Sequence, residues 1–489
     1  MASITAEQRA ELLAGLRFDA GQAESTPADR TAADFYPVPE HLRALEPEVV
    51  LVIGDRGAGK SMLVKAAASP DLRSSIVARS PGLRVPTGDT EWVKAFPVSD
   101  VPDAAGWERF ATKHADQPGA LQELWFTYLA RLLGDRLDSK GQRDLAALLC
   151  CQGGDAEACF TAFKEAGVSV LLALDRLDRE FEIKQKWLLI AYDELDTVVL
   201  SNWHAMGSIV RGLVSFWASY ARRWKRLRGK IFLRTDFYRR HADVGGADIA
   251  KLAANRVELT WSDKHLYALL IKKIANQTPS LYRYAKLGPI SFEPLDPVLK
   301  SIPHVTSKED ARPFVERLVG PYMGANDKKG QSFNWMLDAV RDGNKKISPR
   351  SLVQLVEIAA ERERSSPRAT GTQLLHPVSL RNALDGVSRR HVVQAGDEFR
   401  WLTGVKERLQ KDREVPWDRW EIERLLRARW EESWSTTEVV AAPADSPREL
   451  VDYLVELGIL RDRGRDHFDV PDLFLAGLDL IRRGGVARK

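Results

Sequence analysis

At 489 residues, 44% hydrophobic and 29% charged, the chain has an ordinary globular composition and length for roughly two to four domains. Lys and Arg number 72 against 68 Asp and Glu, a net +4, so no global charge demands nucleic acid and any basic surface must be local. The chain holds no run of about 18 apolar residues and its N-terminus lacks a signal-peptide core, which argues against membrane insertion and export. Cys150, Cys151 and Cys159 lack paired metal-ligand spacing and read as buried thiols of a cytoplasmic protein.

Residues 5–16 predict a short amphipathic helix, and 18–34 a polar strap. Phe35-Tyr36-Pro37-Val38-Pro39 is aromatic and proline-fixed; it reads equally as a tether to the core or as a shelf for a nucleotide base. Glu48 to Ile53 is an apolar, β-branched run that predicts a buried parallel strand. Gly54-Asp55-Arg56-Gly57-Ala58-Gly59-Lys60-Ser61 follows, with the spacing G-x-x-x-x-G-K-[ST] of a phosphate-binding loop. Its glycines allow several N–H groups to face one anion. Lys60 is then expected at the β- and γ-phosphates, Ser61 on Mg²⁺, and Met62 in the first turn of the helix 61–68, whose positive end faces the phosphates.

Residues 80–90 are rich in Pro and Gly, and Glu91 to Phe96 alternates as a second strand. Five helices are expected over 104–184: Trp107–His114, Ala120–Leu137, Gln142–Cys150, Ala156–Ala166 and Val168–Glu182. This insertion exceeds what a minimal phosphate-loop domain needs and suggests a partner or subunit surface. Lys186 to Tyr192 then predicts a buried strand ending in Asp193-Glu194. Carboxylates at the C-terminal end of a strand lie where open α/β sheets bind ligands. Asp193 fits a ligand to Mg²⁺ through water, and Glu194 the base that aligns an attacking water. Asp196 reads as a helix cap or a second metal ligand.

Residues 202–226 predict a helix ending in the basic cluster Arg222, Arg223, Lys225, Arg226, Arg228 and Lys230. Such a cluster is either a solvated helix terminus or a nucleic-acid contact. Ile231 to Asp236 predicts a buried strand, with Thr235 or Asp236 facing the γ-phosphate or the water. Arg234, Arg239, Arg240 and Arg256 are candidate phosphate-reading arginines, in cis or across a subunit boundary. Asn255 to Trp261 predicts the last strand, and Ser262-Asp263 caps a helix to Ala275.

Beyond about 280 the pattern turns helical: Lys308–Leu318, Phe333–Val340 and Ser351–Arg364 predict a lid. Pro349 opens its last helix, so Arg350 projects from a helix start and suits a second phosphate sensor. Residues 364–374 read as a hinge. Trp417, Trp420, Trp430 and Trp434 have near-helical spacing and suggest core. Ser446–Leu460 as helix, Arg461 to Pro471 as hairpin and strand, Asp472–Arg483 as helix and a basic terminus read as a winged-helix module.

GDRGAGKS, WLLIAYDELD, KIFLRTD, NRVELTW and ISPRSLVQL, in this order, resemble bacterial P-loop ATPases of the AAA+/STAND superclass, with the layout of origin-recognition-type initiators. The resemblance implies an α/β P-loop NTPase core with a parallel sheet flanked by helices, a helical insertion, a helical lid and a C-terminal winged helix. The expected domains are 1–45, 46–278, 279–374 and 375–489. It further implies ATP hydrolysis with Mg²⁺, a homo-oligomer, and company in bacterial antiphage defence or DNA transactions. Two features depart from it: the insertion, and Arg234-Thr235-Asp236 in place of a single Asn. No nuclease, protease or deaminase constellation appears, so downstream chemistry would belong to a separate effector protein. Two alternatives stand beside an ATPase switch or motor. One is a non-hydrolysing ATP-gated scaffold, the other an ATP-dependent DNA-binding regulator.

Overall fold

The structure is a computed structural model that describes residues 4–18, 28–86, 90–95, 103–150, 155–195, 198, 202–242, 247–410, 412–427, 444 and 446–483. The expectations for Cys151, Asp196, Trp430, Trp434, most of the strap and the basic terminus lie outside these residues. The chain divides into two compact units, Pro37–Thr260 and Met1–Tyr36 with Trp261–Lys489.

The Pro37–Thr260 unit is built on a five-stranded parallel sheet flanked by helices. Its strands are β1 (Leu51–Gly54), β2 (Thr90–Lys94), β3 (Trp187–Tyr192), β4 (Leu227–Arg234) and β5 (Val257–Leu259), in the order β2-β3-β4-β1-β5. Burial explains the sequence of the central strands. Every residue of β1 and β4 is buried, as a parallel strand covered on both faces requires. Gly229 in mid-β4 is needed for packing, because a Cβ there would lie 2.3 Å from the Trp217 ring. The core under the sheet is aromatic, with Trp107, Trp125, Tyr128, Tyr192, Trp217 and Trp224 in one cluster.

Several expectations need correction. The predicted helices Ala156–Ala166 and Val168–Glu182 are one helix, Ala156–Ile183; a single glycine, Gly167, costs a helix only about 1 kcal/mol and does not end it. A helix Pro70–Arg79 was not read from the sequence, although Ser69 caps it and Pro70 opens it. The helix expected over 202–226 stops at Tyr220, and β4 begins at Leu227. Arg228 and Lys230 are therefore strand residues rather than part of a solvated helix end.

In the other unit, Asp263–Ala275, Arg312–Val319, Ser332–Asp338 and Pro349–Ser365 are helical. The segment 364–374, expected as a hinge, is hydrogen-bonded to the helix before it. Buried Glu363 accepts from the N–H groups of Arg368, Ala369 and His376 and from the Ser379 hydroxyl. The boundary expected at 374/375 falls inside this unit. Near the C-terminus, Trp417–Asp418, His467–Asp469 and Arg461–Asp462 form a three-stranded sheet in that order, antiparallel throughout. The helix Pro447–Glu456 precedes its hairpin. The last predicted helix is a short one, Asp472–Leu475, followed by a strand, Ile481–Arg482, that pairs with Glu414–Val415.

Candidate functional site

β1 runs into the glycine-rich loop, and the helix Lys60–Ala68 leaves it. Two glycines make the reversal possible: Gly57 has φ +69° and Gly59 φ +100°, conformations that L side chains rarely adopt. The Ala58 N–H donates to the Asp55 carbonyl at 3.1 Å and closes the turn. The Leu63 N–H donates to Gly59 O at 2.9 Å, the first helical bond. The N–H groups of Lys60, Ser61 and Met62 thus belong to a first turn that offers them no intrahelical acceptor, at the positive end of the helix dipole. Gly54 serves packing: a Cβ there would lie 3.1 Å from that of Leu259 and 3.2 Å from that of Ala58. Lys60 Nζ donates to the carbonyls of Gly54 at 3.0 Å and Asp55 at 3.1 Å, which hold the ammonium over the loop.

Asp193 and Glu194 follow the last residue of β3. Asp193 is buried, 2% exposed. Glu194 has φ +57°, a left-handed conformation that costs a non-glycine residue about 1 kcal/mol or more. Its carboxylate Oε1 lies 3.4 Å from Lys94 Nζ, at the end of β2. Lys94 was not singled out from the sequence. A lysine ending a strand is an ordinary surface residue until the sheet order sets it beside Glu194, a hundred positions away in the chain.

β4 lies between β1 and β3. Thr235, just past its end, is 4% exposed, and its Oγ1 has no hydrogen-bond partner among the described residues. Arg234 and Asp236 form a two-point ion pair, Nε to Oδ1 at 3.1 Å and NH2 to Oδ2 at 2.9 Å, with the guanidinium over the Phe237 ring. Arg234 was expected to read phosphate and Asp236 to face the γ-phosphate or the water; the two bond to each other here.

Parallel pairing puts these strand ends on one side of the sheet. Gly54 is level with Arg234, and Ile231 is level with both Leu51 and Tyr192. The glycine loop, Thr235 and the Asp193-Glu194 pair thus all follow the C-terminal ends of their strands, with β1 and β3 about 10 Å apart across β4 and the end of β3 level with the start of β1. Among the described residues no group of three or more His, Cys, Asp or Glu is placed to hold a metal. A Mg²⁺ on this side of the sheet would take only a few protein ligands and complete its shell with water and phosphate oxygens, its usual habit. The orphaned Thr235 hydroxyl and the buried Asp193 suit such a polar guest.

The remaining candidates are spread out. Arg239 is exposed and Arg240 half-buried, on the helical turn Tyr238–Ala242. Arg256 is exposed, donates to Ala253 O at 2.8 Å and lies over the Tyr238 ring. Arg350 is the second residue of the helix Pro349–Ser365, in the other unit. Phe35 is buried, and Tyr36 stands 6.2 Å from the His265 ring.

The basic cluster does not form one surface. Arg223 pairs with Asp175, Lys225 with Glu182, and Arg226 lies over Trp187. Arg228 is 8% exposed and donates to the carbonyls of Trp224 and Leu227. Lys230 is fully buried, its ammonium on the carbonyls of Ala44, Glu46 and Val49. Arg228 and Lys230 are thus removed from any nucleic-acid contact.

No helix among the described residues is long and apolar enough to cross a membrane. No protein-family model matches the chain, and no curated protein matches it. Among solved structures, the chain is similar to the ORC2 protein of Aeropyrum pernix in ADPNP-ADP complexes, at 14% identity and TM-score 0.38, covering 94% of this chain and 96% of that one. It is also similar to Cdc6p from Pyrobaculum aerophilum, at 10% identity and TM-score 0.31, covering 98% of each chain. The ADP form of the Aeropyrum pernix ORC2 protein matches at 13% identity and TM-score 0.30, over 94% and 96%. Likeness at this level says nothing of what this chain binds.

Proposed function

We propose that the chain binds ATP with Mg²⁺ at the C-terminal ends of β1, β4 and β3 and hydrolyses it, acting as a nucleotide-driven switch. One observation carries the reading: a glycine loop with two left-handed glycines, a buried hydroxyl with no partner among the described residues, and buried Asp193 followed by half-buried Glu194 all stand at the C-terminal side of one parallel sheet. The amides of Gly57 to Met62 would cradle the phosphates, and Lys60 would turn from the Gly54 and Asp55 carbonyls to the β- and γ-phosphates. Ser61 and Asp193 would hold Mg²⁺, which supplies charge neutralisation at the phosphate oxygens. Glu194 aligns a water and takes its proton as the new O–P bond forms; the bond from the γ-phosphorus to the β–γ bridging oxygen breaks, and ADP leaves with that oxygen. Thr235 holds the water or the γ-phosphate. Lys94 holds Glu194 toward β2, away from β1, so turnover requires that pair to loosen.

Arg239, Arg240, Arg256 and Arg350 as phosphate readers, the helical lid and the C-terminal winged helix belong to the same proposal, as do a homo-oligomer, a separate effector and a place in defence or on DNA. These rest on the sequence resemblance. The test of the core reading is a pair of variants in the full chain. Lys60→Ala is expected to lose ATP binding, and Glu194→Gln to keep binding while losing phosphate release. Equal turnover in wild type and both variants would end the proposal.

A further inference from the structure

The helix Pro118–Leu132, in the helical stretch between β2 and β3, reaches both strand ends that carry the Lys94–Glu194 pair. Tyr128 on this helix is 2% exposed, and its hydroxyl donates to the Ala95 carbonyl. Ala95 directly follows Lys94, and its own N–H donates to Ala191 O at 2.8 Å, so this peptide is held between the helix and β3. The Tyr128 ring stands 6.4 Å from that of Tyr192, and Trp125 meets Tyr192 edge-on at 5.6 Å. Tyr192 lies two residues before Glu194. Trp125 is anchored in turn by its indole N–H on Ile209 O at 2.8 Å. One helix therefore grips the chain within two residues of each partner in the pair.

Packing alone does not require the hydroxyl, since phenylalanine would fill the same core. Burial pushes the Tyr128 phenol far above its ordinary range, so it remains an O–H donor at any working pH. What the oxygen adds is the bond to Ala95 O, which holds the peptide directly after Lys94.

We infer that Tyr128 is a positioning residue for hydrolysis: by fixing the end of β2 it fixes how firmly Lys94 holds Glu194. The helical stretch is then the lever through which any movement of Pro118–Leu132 alters turnover. This inference rests on the ATPase reading above.

The test is steady-state phosphate release from Mg²⁺·ATP by the full chain as wild type, Tyr128→Phe, Lys94→Met and the double variant. Tyr128→Phe is expected to raise kcat about two- to threefold, the scale of a loosened half-exposed ion pair, with KM unchanged. Lys94→Met raises it at least as much, and the Tyr128→Phe factor disappears in the Lys94→Met background. An unchanged kcat in Tyr128→Phe, or the same factor in both backgrounds, overturns the inference and leaves the ATPase reading standing. A wild type that releases no phosphate overturns both.

Discussion

Replacing Gly59 by alanine separates the shape of the glycine loop from its packing. At Gly59 φ is +100° and ψ 19°, and an added Cβ would meet nothing within 4 Å. The cost is therefore backbone strain alone, about 1–2 kcal/mol for an L residue in left-handed space. Roughly 0.4–1 kcal/mol of that is offset, because alanine also narrows the unfolded ensemble. The net loss is roughly 1 kcal/mol, a fall of about 2–4 °C in the melting temperature of a unit this size. Gly464 is the control: its φ is +81°, an added Cβ again meets nothing within 4 Å, and it sits in the C-terminal hairpin. Gly464→Ala should cost a similar amount of stability. Only Gly59→Ala should also weaken ATP, by tenfold or more (about 1.4 kcal/mol), because it re-aims the amides of the first helical turn. Urea unfolding and titration with a fluorescent ATP analogue read the two effects. Equal ATP affinity in wild type and Gly59→Ala, at a reduced melting temperature, would refute the role given to the loop.

Other outcomes follow from single contacts. Thr235→Val removes a buried hydroxyl that has no partner among the described residues, so thermal stability should hold or rise by up to about 1 kcal/mol while phosphate release falls; a loss of stability would mean the hydroxyl is bonded. Gly229→Ala drives a Cβ to within 2.3 Å of the rigid Trp217 ring, and calorimetry should find a loss of several kcal/mol, of order 3, as overpacking of a full core gives. Burial pulls Lys230 down to about 7, against an ordinary lysine near 10.4. Between those values the unfolded chain binds more protons than the folded one, so this residue makes stability rise with pH. Wild type should gain on Lys230→Met in denaturation midpoints from about pH 7 to pH 10; a constant difference would contradict it.

Much of the candidate site was legible because its motifs are local in sequence. The spacing of Gly54 to Ser61, the apolar run before it and the helix after it specify strand, loop and helix without tertiary information. The same holds for Trp187 to Glu194, where a buried run ends in two acids. The pairings were not legible. Lys94 meets Glu194 only because β2 lies beside β3, and strand order is set by the whole core. Arg234 and Asp236 are two residues apart, yet their mutual capture depends on a turn that directs both side chains to the same side. The basic stretch 222–230 misled for a related reason. Charge density reads as a solvated surface, but β4 needs its N-terminal half inside the sheet, and three carbonyls ahead of β1 accept the ammonium of Lys230. Gly167 misled in the opposite sense, as a break that a 28-residue helix simply spans.

The most direct measurement is a count of Mn²⁺ held in the presence of ATP, by electron paramagnetic resonance, on the full chain and on Ser61→Ala and Asp193→Asn. One ion per chain is expected for wild type, with both variants binding it at least tenfold more weakly although their residues come from stretches far apart in sequence. Wild-type retention of Mn²⁺·ATP by Asp193→Asn would mean that the end of β3 takes no part in the site.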